Sequence, residues 1–181
     1  MQTDNSTSAL HNKFQLLILI LLTVFMFFVL RSTANSQTDF YNNLWAPTRM
    51  LVQGDSPYDT TPLKPELPAL WFPMAVGLFS FLGFFEFETA QQIWFLLNIF
   101  GLAGLLYFCF SDWRSIPILL TSTLLAYFFP PVIQHLVLGQ ISIVLALSLL
   151  IATRLAATQP WLSAFFLALG MAKPQIGFLV L

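Results

Sequence analysis

Hydrophobic positions along this chain form long, nearly unbroken runs that are separated by short polar stretches. A bilayer crossing needs about 20 apolar residues in helical form, because in lipid a helix satisfies every backbone group within its own segment. The pattern therefore predicts an all-α polytopic membrane protein, a transmembrane helical bundle with about six spans. The apolar runs cover residues 14–30, 67–85, 89–110, 116–129, 132–153 and 161–181.

The polar stretches define the domain organisation. Residues 1–13 form a polar tail, residues 14–181 form the transmembrane domain, and residues 31–66 form one long polar loop. The aromatic segment 40–45 in this loop predicts a helix lying in the membrane interface. The chain stops inside an apolar run, so we expect it to be the N-terminal portion of a longer, truncated protein.

The first apolar run allows two interpretations, a signal peptide or a membrane anchor. Its 17 residues, 14–30, exceed the roughly 7–15 residues of a signal-peptide core, and Arg31 follows directly. Both features favour the anchor.

Composition agrees with a membrane protein and excludes several other classes. Only 8% of the residues are charged and the mean hydropathy is +0.78, whereas soluble proteins carry about 25% charged residues. The net charge of −1 excludes a large basic surface for nucleic acid. A single cysteine, Cys109, excludes an intrachain disulfide and a zinc site built on paired cysteines.

The first candidate for chemistry is Asp39, which follows the first span and precedes the aromatic segment. A carboxylate fixed between lipid and water can act as the general base when a lipid-linked substrate is passed to an acceptor in water. It can equally be a helix N-cap that accepts backbone N–H groups, and the two roles are compatible.

The other candidates are polar residues at breaks in the apolar runs. Gln140 follows Gly139 within one run, where an amide serves either as contact between helices or as a substrate contact. Lys173 precedes Pro174 and either snorkels to the surface or binds an anion such as a lipid phosphate. Tyr58 ends the stretch 54–58, whose turn-forming residues also fit a tight turn. His135 fits a wet break between helices.

Read together, the motifs resemble glycosyltransferase family 87, the polyprenyl-phosphate-mannose-dependent α-1,2-mannosyltransferases. They are Asp39-Phe40, Leu51, Gly54, Ser56-Pro57-Tyr58, Pro65, Pro68, Trp94, Asn98, Pro130-Pro131, Gly139-Gln140 and Lys173-Pro174-Gln175. The chain departs from the family at residues 64–68, where an aromatic-x-Tyr-Pro-Pro sequence is usual, and at Ser142, where an asparagine is common.

The resemblance implies a GT-C-like fold and a membrane hexosyltransferase. The sugar, mannose, would move from a polyprenyl-phosphate donor to a glycan or lipid acceptor by inverting displacement. Asp39 would be the catalytic base, and Tyr58, Gln140 and Lys173 would bind substrate. The resemblance implies no metal and no cofactor beyond the donor, and a place in the bacterial plasma membrane with a role in the cell envelope.

The alternative is a non-catalytic membrane protein: a transporter, an assembly subunit or an inactive truncated fragment. A transporter is disfavoured because the apolar runs lack the intramembrane acidic residues of an ion pathway.

Membrane orientation receives conflicting signals. Lys13 alone precedes the first span, whereas Arg31, Arg49 and Lys64 follow it, so the positive-inside rule predicts a cytoplasmic first loop. The resemblance implies an extracytoplasmic loop, and we adopt that orientation.

Overall fold

The computed structural model describes residues 4–32, 37–59, 73–110 and 116–173. Every regular element within these ranges is a helix, which confirms the predicted all-α class. The helices are α1 (Asp4–Leu30), α2 (Thr38–Phe40), a π-helical turn (Tyr41–Trp45), α3 (Ala46–Gln53), α4 (Pro73–Leu78), a 3-10 turn (Ser80–Phe84), α5 (Phe87–Phe110), α6 (Ile116–Phe128), α7 (Pro130–Leu138), α8 (Ser142–Leu155) and α9 (Pro160–Gly170).

Fewer helices than expected are long enough to cross a bilayer. Within the described ranges, residues 13–30 of α1 and 87–109 of α5 qualify, and α6 with α7 forms a pair bent by 53° that adds a third if it is one span. The expectation of six spans is therefore too high for this part of the chain. The shorter apolar helices α8 and α9 have 14 and 11 residues, and a 14-residue helix reaches only about 21 Å against the roughly 30 Å of the hydrocarbon core.

Proline and glycine mark where several of the apolar helices begin and end. Pro130 has no backbone N–H and begins α7 after the break at Phe129, while Gly139 ends α7 in the left-handed conformation with φ 70°. Pro160 likewise begins α9. The predicted second span, 67–85, is represented by the six-residue α4 and the 3-10 turn, and its first residues lie outside the described ranges.

The predicted long loop contains a continuous helical segment over residues 38–53, formed by α2, the π-helical turn and α3. It ends at Gly54, whose φ of 86° is left-handed. The N–H groups of Gly54 and Asp55 donate to the carbonyls of Leu51 and Met50, at 3.2 and 2.9 Å. The turn formers at 54–58 thus begin with a helix C-cap.

This segment is fastened to the stretch that precedes α5. The indole Nε1 of Trp45 donates to the Phe85 carbonyl at 3.1 Å. The Arg49 guanidinium donates to the Gly83 carbonyl at 3.0 Å and pairs with Glu86 at 3.1 Å. Gly83 lies so close to the backbone of α3 that a Cβ atom there would collide with the Thr48 carbonyl. These contacts fix the position of Asp39 relative to α5.

Two apolar clusters form the core, and α5 contributes to both. One joins the 38–53 segment to α5, α8 and α9, with members Phe40, Leu44, Ala75, Phe79, Leu82, Ala90, Trp94, Ile141, Leu145, Leu169 and Ala172. The other joins α1 to α5, α6, α7 and α8, with members Met26, Leu30, Phe95, Ile99, Leu102, Leu106, Tyr127, Leu136 and Ile143. Because α5 is shared, it sets the position of α7 relative to the Asp39 segment.

Candidate active site

Asp39 is the second residue of α2, and it is partly buried. The residue at the N-cap position is Gln37, so the prediction that Asp39 is the N-cap is wrong. The helix begins earlier than expected, and Asp39 falls in its first turn. A carboxylate in that turn is still stabilised by the partial positive charge of the helix N-terminus.

Gln140 makes direct contact with Asp39. The side-chain Nε2 of Gln140 donates a hydrogen bond to Oδ2 of Asp39 at 3.1 Å, across a separation of 101 residues. Two of the predicted site residues are therefore neighbours. A neutral amide that donates to a carboxylate fixes its direction and leaves its negative charge in place.

Gly139 explains how the two segments approach so closely. A Cβ atom at this position would lie 2.7 Å from Cβ of Phe40 and 3.1 Å from Cβ of Gln37. Gly139 also needs its left-handed φ of 70° to end α7. Only glycine meets both demands, so the Gly139-Gln140 turn rests directly on the residues that flank Asp39.

Trp94 of α5 connects both sides of this contact. Its indole Nε1 donates to the Gly139 carbonyl at 2.8 Å. Its ring stacks on Phe40 with centroids 5.5 Å apart and an interplanar angle of 14°. Both side chains are fully buried, so this packing holds the Phe40 segment and the Gly139 turn against the same helix.

Asn98 and His135 form a second buried contact between α5 and α7. The Nε2 atom of His135 lies 2.9 Å from Oδ1 of Asn98. The Asn98 amide nitrogen donates to the Trp94 carbonyl at 3.0 Å. His135 is 8% exposed and Asn98 is 2% exposed, so neither relies on bulk water for its hydrogen bonds.

Lys173 follows α9 and is partly buried. The preceding residue, Ala172, packs in the same apolar cluster as Trp94. The charge of Lys173 is close enough to the His135 ring to act on it electrostatically. The structure thus brings Lys173 to the α7 side of the site. The Pro174 and Gln175 positions of this motif lie outside the described residues.

Tyr58 remains at the surface of the turn that follows α3, with 41% of its area exposed. Its backbone N–H donates to Oγ of Ser56 at 3.4 Å, which is a local contact. The described contacts therefore bring Gln140, and through His135 also Lys173, toward one region, whereas those of Tyr58 stay within its own turn.

This arrangement can be compared with known protein families. Residues 71–181 match glycosyltransferase family 87. The chain belongs to glycosyltransferase family 87. No curated protein and no solved structure matches it. The matched range includes Trp94, Asn98, His135, Gln140 and Lys173, while Asp39 precedes it.

Family 87 membership makes the protein a membrane glycosyltransferase, and the apolar helices agree with an integral membrane location. A sugar donor and an acceptor are thus its substrates. Among the residues that the structure describes, no three His, Cys, Asp or Glu side chains are grouped to hold a metal ion.

The sequence interpretation assigned no chemistry to Trp94, Asn98 or His135 in this family member. A signal does exist for Trp94 and Asn98, because they are four residues apart. That spacing puts the two side chains on one helix face. Polar groups that share a face inside an apolar run indicate a buried hydrogen-bonded contact.

Proposed function

We propose that this family 87 protein transfers a hexose, mannose, from a polyprenyl-phosphate donor to a hydroxyl group of a glycan or lipid acceptor. The observation that carries the proposal is the hydrogen bond from Gln140 to Asp39. It joins the part of the chain that matches the family to a carboxylate that precedes this part. The protein would lie in a bacterial plasma membrane, with its product in the cell envelope.

In the proposed reaction, Asp39 acts as a general base. One oxygen of the carboxylate accepts the hydrogen bond of Gln140, and the other accepts the proton of the acceptor hydroxyl. The hydroxyl oxygen attacks the anomeric carbon as the bond from that carbon to the phosphate oxygen breaks. The lipid phosphate leaves with the bonding electrons, and attack from the opposite face inverts the anomeric configuration.

Gln140 contributes orientation in this mechanism. Since an amide has no ionisable proton at neutral pH, it can fix the carboxylate without competing for the proton that Asp39 must take. The Gly139 turn and the Trp94 contact keep the amide in place. Asp39 is thereby oriented before the substrate binds, which lowers the cost of reaching a reactive geometry.

Lys173 supplies the proposed contact with the donor phosphate. Lys173 is partly buried and follows Ala172, a member of the apolar cluster, and a charge in such surroundings is stabilised by an anion. The contact would also favour the negative charge that develops on the leaving phosphate. Tyr58 is assigned to substrate contact from the exposed turn after α3.

The test is Asp39→Asn in membranes supplied with polyprenyl-phosphate-mannose. Asparagine keeps the size of the side chain and can still contact Gln140, but it cannot accept the proton. Transfer should fall by about 10²-fold or more, the usual contribution of a positioned base. Asp55→Asn is the matched control, because Asp55 is exposed in the turn after α3 and should tolerate the change. Transfer by Asp39→Asn within a few-fold of wild type would remove Asp39 from this role.

A further inference from the structure

A closed ring of buried hydrogen bonds connects α5 to the end of α7. Trp94 donates to the Gly139 carbonyl, and the Trp94 carbonyl accepts from the Asn98 amide. Asn98 in turn contacts the His135 ring. The His135 carbonyl accepts the N–H group of Gly139 at 2.9 Å, which closes the ring.

This ring of hydrogen bonds determines which nitrogen of the His135 imidazole carries hydrogen. The amide nitrogen of Asn98 donates to the Trp94 carbonyl, so the oxygen Oδ1 is the atom that faces His135. A carbonyl oxygen can only accept. The Nε2 atom of His135 therefore carries a hydrogen and donates it, and Nδ1 is the nitrogen with the lone pair in the neutral ring.

The ring of hydrogen bonds is also connected to the Asp39 carboxylate, through Gln140. The His135 carbonyl accepts a second hydrogen bond, from the backbone N–H of Gln140 at 3.1 Å. The side chain of the same Gln140 donates to Asp39. A rotation of the last turn of α7 would therefore move the amide that orients the carboxylate.

Because the ring of hydrogen bonds is buried, it disfavours other rotations of α7. A buried polar group that loses its partner costs about 1–3 kcal/mol, and Asn98 and His135 are 2% and 8% exposed. Alternative rotations of α7 would break the bond from His135 to Asn98 without access to water as a replacement. The geometry of the Gln140 turn is thus tied to α5 by specific partners in addition to apolar packing.

We propose that Asn98 and His135 are positioning residues for sugar transfer: their buried hydrogen bond fixes the Gly139-Gln140 turn and thereby the direction of the Asp39 carboxylate. The inference rests on the proposed role of Asp39 as the base. The competing explanation is that the two residues only join α5 to α7, in which case they contribute to stability and not to the chemical step.

Steady-state kinetics separate these explanations. Asn98→Leu removes both hydrogen bonds of the Asn98 side chain. His135→Phe keeps an aromatic ring but has no N–H group to donate. Each should lower kcat, because a misplacement of about 1 Å can cost about 10²-fold. The KM for the donor should change much less. His135→Gln retains an N–H donor for Asn98 and should recover part of the lost kcat.

The Asp39→Asn background provides the decisive comparison. If Asn98 and His135 act through Asp39, their substitution should cause little further loss once the base is absent. Losses that multiply with that of Asp39→Asn would contradict the proposal. Unchanged kcat in either variant that remains stably folded in detergent would also contradict it.

A spectroscopic measurement tests the ring of hydrogen bonds without any assay of sugar transfer. The chain has two histidines, His11 and His135, so His11→Gln leaves one ring for nitrogen-15 NMR. We expect the neutral Nε2–H tautomer, and a mixture of tautomers in Asn98→Leu. A single Nδ1–H tautomer in the His11→Gln protein would overturn the proposal.

The two proposals fail in different ways. Full transfer by Asp39→Asn would contradict the proposed function. Loss of transfer in Asp39→Asn, together with full transfer by a folded Asn98→Leu, would contradict the positioning role alone.

Discussion

At the scale of single residues, the proposed chemistry depends on a few polar side chains surrounded by apolar packing. Asp39 and Gln140 contact each other directly. Lys173 is a partly buried cation whose charge is close enough to His135 to act on it electrostatically. A cation in such surroundings either reaches the surface or binds an anion, and substitution of Lys173 distinguishes the two.

Lys173→Met keeps most of the side-chain stem and removes the charge. If Lys173 contacts the donor phosphate, loss of a charge-assisted hydrogen bond of about 1.5–3 kcal/mol should weaken apparent donor affinity by about tenfold to a hundredfold. Lys173→Arg should retain part of the affinity because it keeps the charge. The measurement is donor titration of transfer, with thermal stability in detergent as the folding control. Unchanged donor affinity in a stable Lys173→Met protein would support snorkelling instead.

At the scale of elements, the ends of helices matter more to the site than their lengths. Gly139 ends α7 and lies against Phe40 and Gln37. The N–H groups of Gly139 and Gln140 share the His135 carbonyl. The break in the apolar run thus produces both the turn and the amide that faces Asp39.

Gly139→Ala should disturb this contact. Alanine would meet Phe40 at 2.7 Å and would have to adopt a left-handed conformation that costs about 1–2 kcal/mol, with crowding adding about 1–3 kcal/mol. Both thermal stability in detergent and the transfer rate should fall.

Gly77→Ala is the matched control for that experiment. Gly77 lies in α4, and a Cβ atom there would have no neighbour within 4 Å. Alanine in a helix is favoured over glycine by about 0.5–1 kcal/mol, so stability should stay the same or rise. An equal effect of both substitutions would show that close packing at Gly139 is unimportant.

At the scale of the whole molecule, α5 and α8 each contribute residues to both apolar clusters. Within the described residues, α1 and α5 are the helices long enough to span a bilayer alone. The Asp39 segment follows α1 and is attached beside the start of α5. The end of α1 and the start of α5 should therefore lie on the same side of the membrane. A lipid-linked donor outside the cytoplasm requires that side to be extracytoplasmic.

Cysteine labelling tests this orientation. Ser56→Cys in a Cys109→Ser background puts one thiol in the exposed turn after α3. It should react with a membrane-impermeant maleimide in intact cells. Ser8→Cys, which precedes the first span, is the control and should react only after lysis. The reverse pattern would favour the orientation given by the positive-inside rule and would exclude an extracytoplasmic donor.

The sequence predicted the fold class well because long apolar runs leave helices as the main solution in lipid. It overestimated the spans because hydropathy does not register that Gly139 divides the run 132–153 into α7 and α8, or that the described part of 67–85 forms only α4 and a 3-10 turn. The family resemblance gave Asp39 and Gln140 as two separate candidates. Their contact was not predictable from local pattern, since it depends on packing across 101 residues.

For Tyr58, the structure adds no contact that supports the role expected from the sequence. It was assigned by resemblance alone, and the structure gives it a local hydrogen bond and an exposed ring. An exposed side chain on a turn has few contacts that could constrain its position, so neither sequence nor packing fixes its relation to Asp39.

The long separation between Asp39 and Gln140 has a consequence for biosynthesis. A ribosome adds roughly 5–20 residues per second, so Asp39 emerges about 5–20 seconds before its partner Gln140, which follows α7. During that interval the Trp45 and Arg49 contacts with residues 83–86 can already form, because they need far less of the chain. We therefore expect the nascent protein to dock its Asp39 helix first, and the contact between Asp39 and Gln140 to form only when the later helices have inserted beside it.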